Sequence, residues 1–192
     1  MRLFVGVELP DDARERAGAA TARLQARLHE ACPRLSARWI DPENFHITLW
    51  FLGEVRDDRI DVVMRAVETP LDATPFDLTL AGLGAFPARG APRVFWIGVP
   101  RGQALLRALH EELDLRLAAL GFRGEERAYS AHLTVARVKD VPRACVAAVR
   151  SALEEDDGSA GSWRVDHVTM FRSRLSPKGA RYEPLLRVPL KR

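Results

Sequence analysis

Apolar and polar positions alternate through RLFVGVELP at residues 2–10, the period of a half-buried strand. The period then lengthens. In DDARERAGAATARLQARLHEAC, Ala13, Ala17, Ala20, Leu24 and Leu28 recur at helical spacing, with Asp11 and Asp12 placed to cap the start. After a turn at DPEN, FHITLWFLGEV at residues 45–55 alternates again and closes at Gly53. Here Ile47, Leu49 and Phe51 oppose His46, Thr48 and Trp50. A helix over RDDRIDVVMRAVE, with Ile60, Val63, Met64 and Val67 on one face, leads to a strand over FDLTLAGLGAF.

RVFWIGV at residues 93–99 restarts the order. A helix from about Gly102 to Leu120 carries Leu105, Leu106, Leu109, Leu113 and Leu117, Gly121 stops it, and the strand AHLTVARV follows. PRACVAAVRSALEE supplies the next helix, DDGSAGS breaks it, and WRVDHVTMFRSRL parallels FDLTLAGLGAF. Phe4 lies 42 residues before His46, and Phe95 lies 37 before His132. The chain thus reads as one domain, 1–192, made of two duplicated halves at about 1–90 and 91–192, joined near GAFPARGAP. The expected class is α+β: two pseudo-symmetric lobes, each a mainly antiparallel sheet with outer helices, around a central cleft. ARYEPLLRVPL ends the chain with Pro184 and Pro189, which donate nothing to a ladder and so predict an edge strand.

The duplicated strands carry the chemistry. Residues i and i+2 of a strand share a face, so His46 and Thr48 project together, as do His132 and Thr134. Two imidazoles flanking one phosphorus supply a base on one side and an acid on the other, and two hydroxyls hold the non-bridging oxygens. A cyclic phosphodiester is the substrate this suits, without a metal or other cofactor. WRVDHVTMF offers a third match, His167 and Thr169, but its counterpart in the first half has no histidine. His167 is therefore expected to be a surface or packing residue, and His29 and His110 to lie on solvated helix faces.

Composition narrows the setting. At 192 residues and 47% hydrophobic, the chain buries a core without disulfides, and its two cysteines, Cys32 and Cys145, read as reduced, buried thiols. No signal peptide opens it and no apolar run approaches the ~18–20 residues a bilayer needs, so a cytoplasmic protein is expected. A net charge of +3 with 29 basic residues favours an anionic partner without identifying it. No Gly-rich loop suggests an ATP site.

Taken together, RLFVGVELP, ENFHITLWFLGEV, RVFWIGV, AHLTVAR and the late FRSRLSPKGARYEPL resemble the two-histidine phosphoesterases. Within these, they resemble the bacterial and archaeal RNA 2′,3′-cyclic phosphodiesterases, also called 2′-5′ RNA ligases. The resemblance implies a bilobal fold and metal-independent hydrolysis of RNA 2′,3′-cyclic phosphate ends to 2′-phosphates, with reverse 2′-5′ ligation by the same groups. It implies His46 as general acid, His132 as general base, and Thr48 and Thr134 as phosphate ligands. The partners implied are RNA ends, tRNA fragments among them, met by a monomer with no membrane attachment. Arg137 matches a family arginine, although strict alternation turns it away from His132, so contact with substrate requires a bulge or a reach around the strand edge. Trp50, where relatives carry a basic residue, has two readings: a base-stacking surface beside His46, or a core tryptophan. Ala131 stands where proline is frequent. Rival readings are an RNA-end binding module with incidental turnover, and a phosphodiesterase for 2′-5′ linkages or small cyclic phosphates. A two-histidine metal site lacks a carboxylate or thiol at ligand spacing near either motif.

Overall fold

The computed structural model describes residues 1–124, 128–176 and 179–191. Pro177 and Lys178 of the late FRSRLSPKGARYEPL stretch lie outside the described residues. In chain order the elements are β1 (Arg2–Glu8), α1 (Asp11–Ala31), β2 (Ser36–Trp39), β3 (His46–Glu54), α2 (Ile60–Glu68), β4 (Phe76–Leu80) and β5 (Leu83–Phe86). There follow β6 (Val94–Gly98), α3 (Gln103–Ala118), β7 (His132–Asp140), α4 (Val146–Glu154), β8 (Gly161–Val165), β9 (His167–Ser176) and β10 (Gly179–Pro189).

The strands form one sheet in the order β10-β9-β1-β3-β7-β6-β5, with β2 also on β7, and β4 pairs with β8 apart from it. Every strand pairing is antiparallel. The halves of the sequence do not keep separate sheets: β1 lies between β3 of its own half and β9 of the second. Counted outward from the seam between β3 and β7, the order repeats once β1 is matched with β6 and β9 with β5, and β10 extends one flank beyond the match. Its two flanks meet at one residue pair, Ile47 with Leu133.

One face of the sheet is the core. Leu3, Val5, Val7, Ile47, Leu49, Phe95, Ile97, Leu133 and Val135 point into it and are buried. They meet the inner stripes of α1 (Ala13, Ala17, Ala20, Leu24, Leu28) and α3 (Leu106, Leu109, Leu113, Leu117). Each fully buried leucine contributes roughly 1.5–3 kcal/mol from area removed from water. That burial rather than capping holds α1, since Pro10 occupies its N-cap and Asp11 and Asp12 sit in the first turn instead. Leu105, expected on the α3 stripe, is 39% exposed.

FDLTLAGLGAF and WRVDHVTMFRSRL, each expected as one strand, both divide. Gly82, at φ +80°, turns the chain between β4 and β5, and Asp166 separates β8 from β9. The strand β2 is an addition to the expected elements, because four residues show too little alternation to announce it. β10 is an edge strand, as Pro184 and Pro189 require. Cys32 is buried and Cys145 only half-buried; both are free thiols, and a hydrogen bond to Cys32 raises the Cys145 pKa.

Candidate active site on the open sheet face

Because Ile47 and Leu133 point into the core, their neighbours His46, Thr48, His132 and Thr134 share the opposite face. All four are half-buried. Continued by one residue to either side of Ile47 and Leu133, the antiparallel register sets Thr48 toward His132 and His46 toward Thr134, a crossed square about the single pair.

The rings are held alike. His46 Nδ1–H donates to the Asn44 carbonyl at 2.8 Å, and His132 Nδ1–H donates to the Ser130 carbonyl at 2.7 Å. In the neutral rings each Nε2 then carries the lone pair. Gly6 lies opposite Thr48, where a Cβ would come 2.7 Å from the Ile47 carbonyl oxygen and 3.6 Å from His46 Cδ2. Phe4 packs 4.6 Å from the His46 ring, and Tyr182 meets it edge-on at 4.8 Å. Phe86 meets His132 edge-on at 5.0 Å.

Burial pushes the His46 pKa down to about 4, and the positive charges of Arg137 and His132 push it the same way against the Asn44 hydrogen bond. Left to these influences, His46 is neutral at pH 7. Arg137 owes its own influence to a bulge. In β7 the register against β6 skips Val135, so Val135 and Ala136 both turn inward and Arg137 returns to the motif face.

β3 carries the same irregularity at the same distance from its histidine. Its register against β1 skips Leu49, so Leu49 and Trp50 are both buried and Phe51 takes the outward place. This corrects the reading of Trp50 as a substrate-binding residue. Trp50 is 2% exposed, and its Nε1–H donates to Asp114 at 3.0 Å. Phe51, which alternation places in the core, is 42% exposed, with the Arg2 guanidinium 5.0 Å over its ring. His110, expected on a solvated helix face, is half-buried. It stacks on Tyr129 at 4.4 Å and donates to the Leu49 carbonyl, while the Tyr129 hydroxyl donates to the Thr48 carbonyl. His29 is exposed, as expected.

The third His-x-Thr is already occupied. Thr169 donates to the Glu8 carboxylate at 2.6 Å, Arg187 Nε at 2.9 Å, and His167 Nε2 lies 3.3 Å away. Burial would raise the Glu8 pKa, but hydrogen bonds from Arg187, Thr169 and His167 hold it down at about 2. An internal anion thus sits where a phosphate would.

Two shallow surface depressions lie elsewhere. One is lined by Met1 and residues 54–58, the other by Asp11, Arg14, Glu15, Gly18, Pro42 and Glu43. Their acidic rims repel a phosphate, so the motif face is the better anion site. Among the described residues no three His, Cys, Asp or Glu gather to hold a metal, and no helix is long and apolar enough to cross a membrane.

A family model described as the 2′-5′ RNA ligase superfamily matches residues 9–176. An Archaeoglobus fulgidus protein named RNA 2′,3′-cyclic phosphodiesterase is 36% identical over 185 residues, covering 96% of this chain and 98% of its own. A Thermotoga maritima protein of the same name is 31% identical over 186 residues, 96% and 93% of the two chains. Among solved structures, E. coli LigT complexed with 3′-AMP is similar at TM-score 0.76 and 25% identity over 100% of this chain and 98% of that one. A Thermus thermophilus structure reaches TM-score 0.77 at 28% identity, over 99% and 98%.

Proposed function

The chain belongs to the 2′-5′ RNA ligase superfamily, and from that premise we propose that it hydrolyses 2′,3′-cyclic phosphate ends of RNA to 2′-phosphates, with His46 as acid and His132 as base. The observation that carries the reading is the crossed square, which sets two imidazoles diagonally across one patch of sheet with a hydroxyl beside each.

In this mechanism His132 Nε2 takes a proton from water as its oxygen bonds phosphorus. The bond from phosphorus to O3′ breaks, and His46 Nε2–H gives its proton to O3′. Thr48 and Thr134 donate to the non-bridging oxygens, and Arg137 offsets their charge. A neutral His46 is poorly prepared for an acid's role, and the substrate supplies the remedy. A phosphodiester anion between the rings favours the imidazolium and counters the repulsion from Arg137 and His132, so substrate and proton bind together. With an RNA 5′-hydroxyl in place of water, the same groups make a 2′-5′ linkage. The reading takes the protein as one domain of two related halves, a monomer acting in the cytoplasm on RNA fragments, those of tRNA among them.

Product analysis on an RNA ending in a 2′,3′-cyclic phosphate tests this. A 2′-phosphate product is expected from wild type, and each of His46→Ala and His132→Ala should slow turnover by at least about 10²-fold, the typical worth of one positioned proton transfer. Wild-type rates in both variants would end the assignment.

A further inference from the structure

The motif face carries more positive charge than one phosphodiester needs. β2 sets Arg38 directly across from Arg137, and cross-strand partners share a face, so two guanidiniums stand one strand spacing apart, about 4.8 Å at the backbone. Like charges so placed destabilise a sheet. Among the described residues neither has a carboxylate partner, whereas Arg14, Arg16, Arg23, Arg101 and Arg187 each have one. Arg38 is also exposed, on a short strand whose Ala37 and Trp39 pack against the core. The arrangement lies beside the reacting groups. The charges of Arg137, Arg2 and Arg38 all bear on the Tyr182 phenol, whose ring touches His46. An uncompensated pair of this kind is relieved by an anion beyond the one held at the histidines.

We propose that Arg38 holds a second phosphate, the internucleotide phosphate next to the cyclic end of an RNA strand, and so fits the site to oligonucleotide termini over mononucleoside cyclic phosphates. The proposal rests on the reading of this face as a cyclic-phosphate site. A guanidinium grips a phosphate through two parallel N–H donors, and the charge sits one strand further out than the arginine that meets the scissile group.

The test measures kcat/KM for a mononucleoside 2′,3′-cyclic phosphate and for a short oligoribonucleotide with the same terminal nucleoside and cyclic end. Wild type is compared with Arg38→Gln and with Arg101→Gln, whose guanidinium pairs with Asp77 on β4, outside the main sheet. Arg38→Gln should lower the oligonucleotide-to-mononucleotide ratio about tenfold and reduce the slope of log affinity against log salt by about 0.7, one phosphate contact on a single strand. Arg101→Gln should leave the ratio as it is. A ratio unmoved by Arg38→Gln, or moved equally by both variants, overturns the proposal. If wild type turns over neither substrate, the hydrolase reading fails separately. Fluorescence anisotropy with a labelled oligoribonucleotide bearing a 2′-phosphate end then decides on Arg38: weaker, less salt-dependent binding in Arg38→Gln supports the second site, and equal binding overturns it.

Discussion

At the scale of single residues, the largest surprise is the exchange of roles between Trp50 and Phe51. Trp50 fills the space beside α3 and gives its one donor to Asp114, so its removal is a core event. Trp50→Phe should lower stability by about 1–2 kcal/mol, read as a shift in urea midpoint, while KM for a cyclic-phosphate RNA stays within about twofold. A large change in KM with unaltered stability would restore Trp50 to the substrate face. Arg137 acts on His46 through charge. Its positive charge disfavours the imidazolium, so Arg137→Gln should raise the His46 pKa and move the His46 limb of the pH profile of kcat/KM to higher pH. A limb that stays in place while the rate falls would leave Arg137 with a binding role only.

At the scale of elements, the site depends on how closely β1 and β3 approach. A methyl at Gly6 would meet the Ile47 carbonyl, so Gly6→Ala must part the strands. The expected cost is about 1–3 kcal/mol in stability, with kcat falling at least about tenfold; unchanged kcat at full stability would show that the approach is not needed. Most elements are legible from periodicity alone, including both His-x-Thr strands and the proline-marked edge. What escapes has a common cause. Alternation assumes a regular pleat, and one extra residue reverses every assignment after it. The bulge before Arg137 is foreseeable only because a family pattern demands an arginine on that face. Nothing in LWFLGEV announces its twin, and Phe51 and Trp50 therefore fall on the wrong faces when alternation alone assigns them. The sheet order also escapes, because β1 meets β9 across more than 160 residues and no local pattern encodes that pairing. Arg38 is hidden with its four-residue strand.

At the scale of the whole molecule, the same groups that build the site make it sensitive to acid. The unfolded chain protonates His46 near 6.5 and the folded one at about 4, so between those values the unfolded state binds more protons. Stability present above pH 6.5 is lost as pH falls toward 4, by at most about 3 kcal/mol at 1.36 kcal/mol per pKa unit. His46→Asn should flatten the thermal midpoint across that window, as followed by circular dichroism, and a slope equal to wild type would remove His46 as the cause. Glu8 adds to the loss further down, from 4.5 to about 2, as its carboxylate is protonated away from Arg187 and Thr169.

A sheet that narrows to the rung between Ile47 and Leu133 behaves as a pair of plates riveted once. At that rung the ladder between β3 and β7 offers one registered pair, and both of its side chains are buried in the core. The spacing that the proposed acid and base would keep across phosphorus is therefore written in hydrocarbon on the reverse of the plate, on the buried side of the sheet.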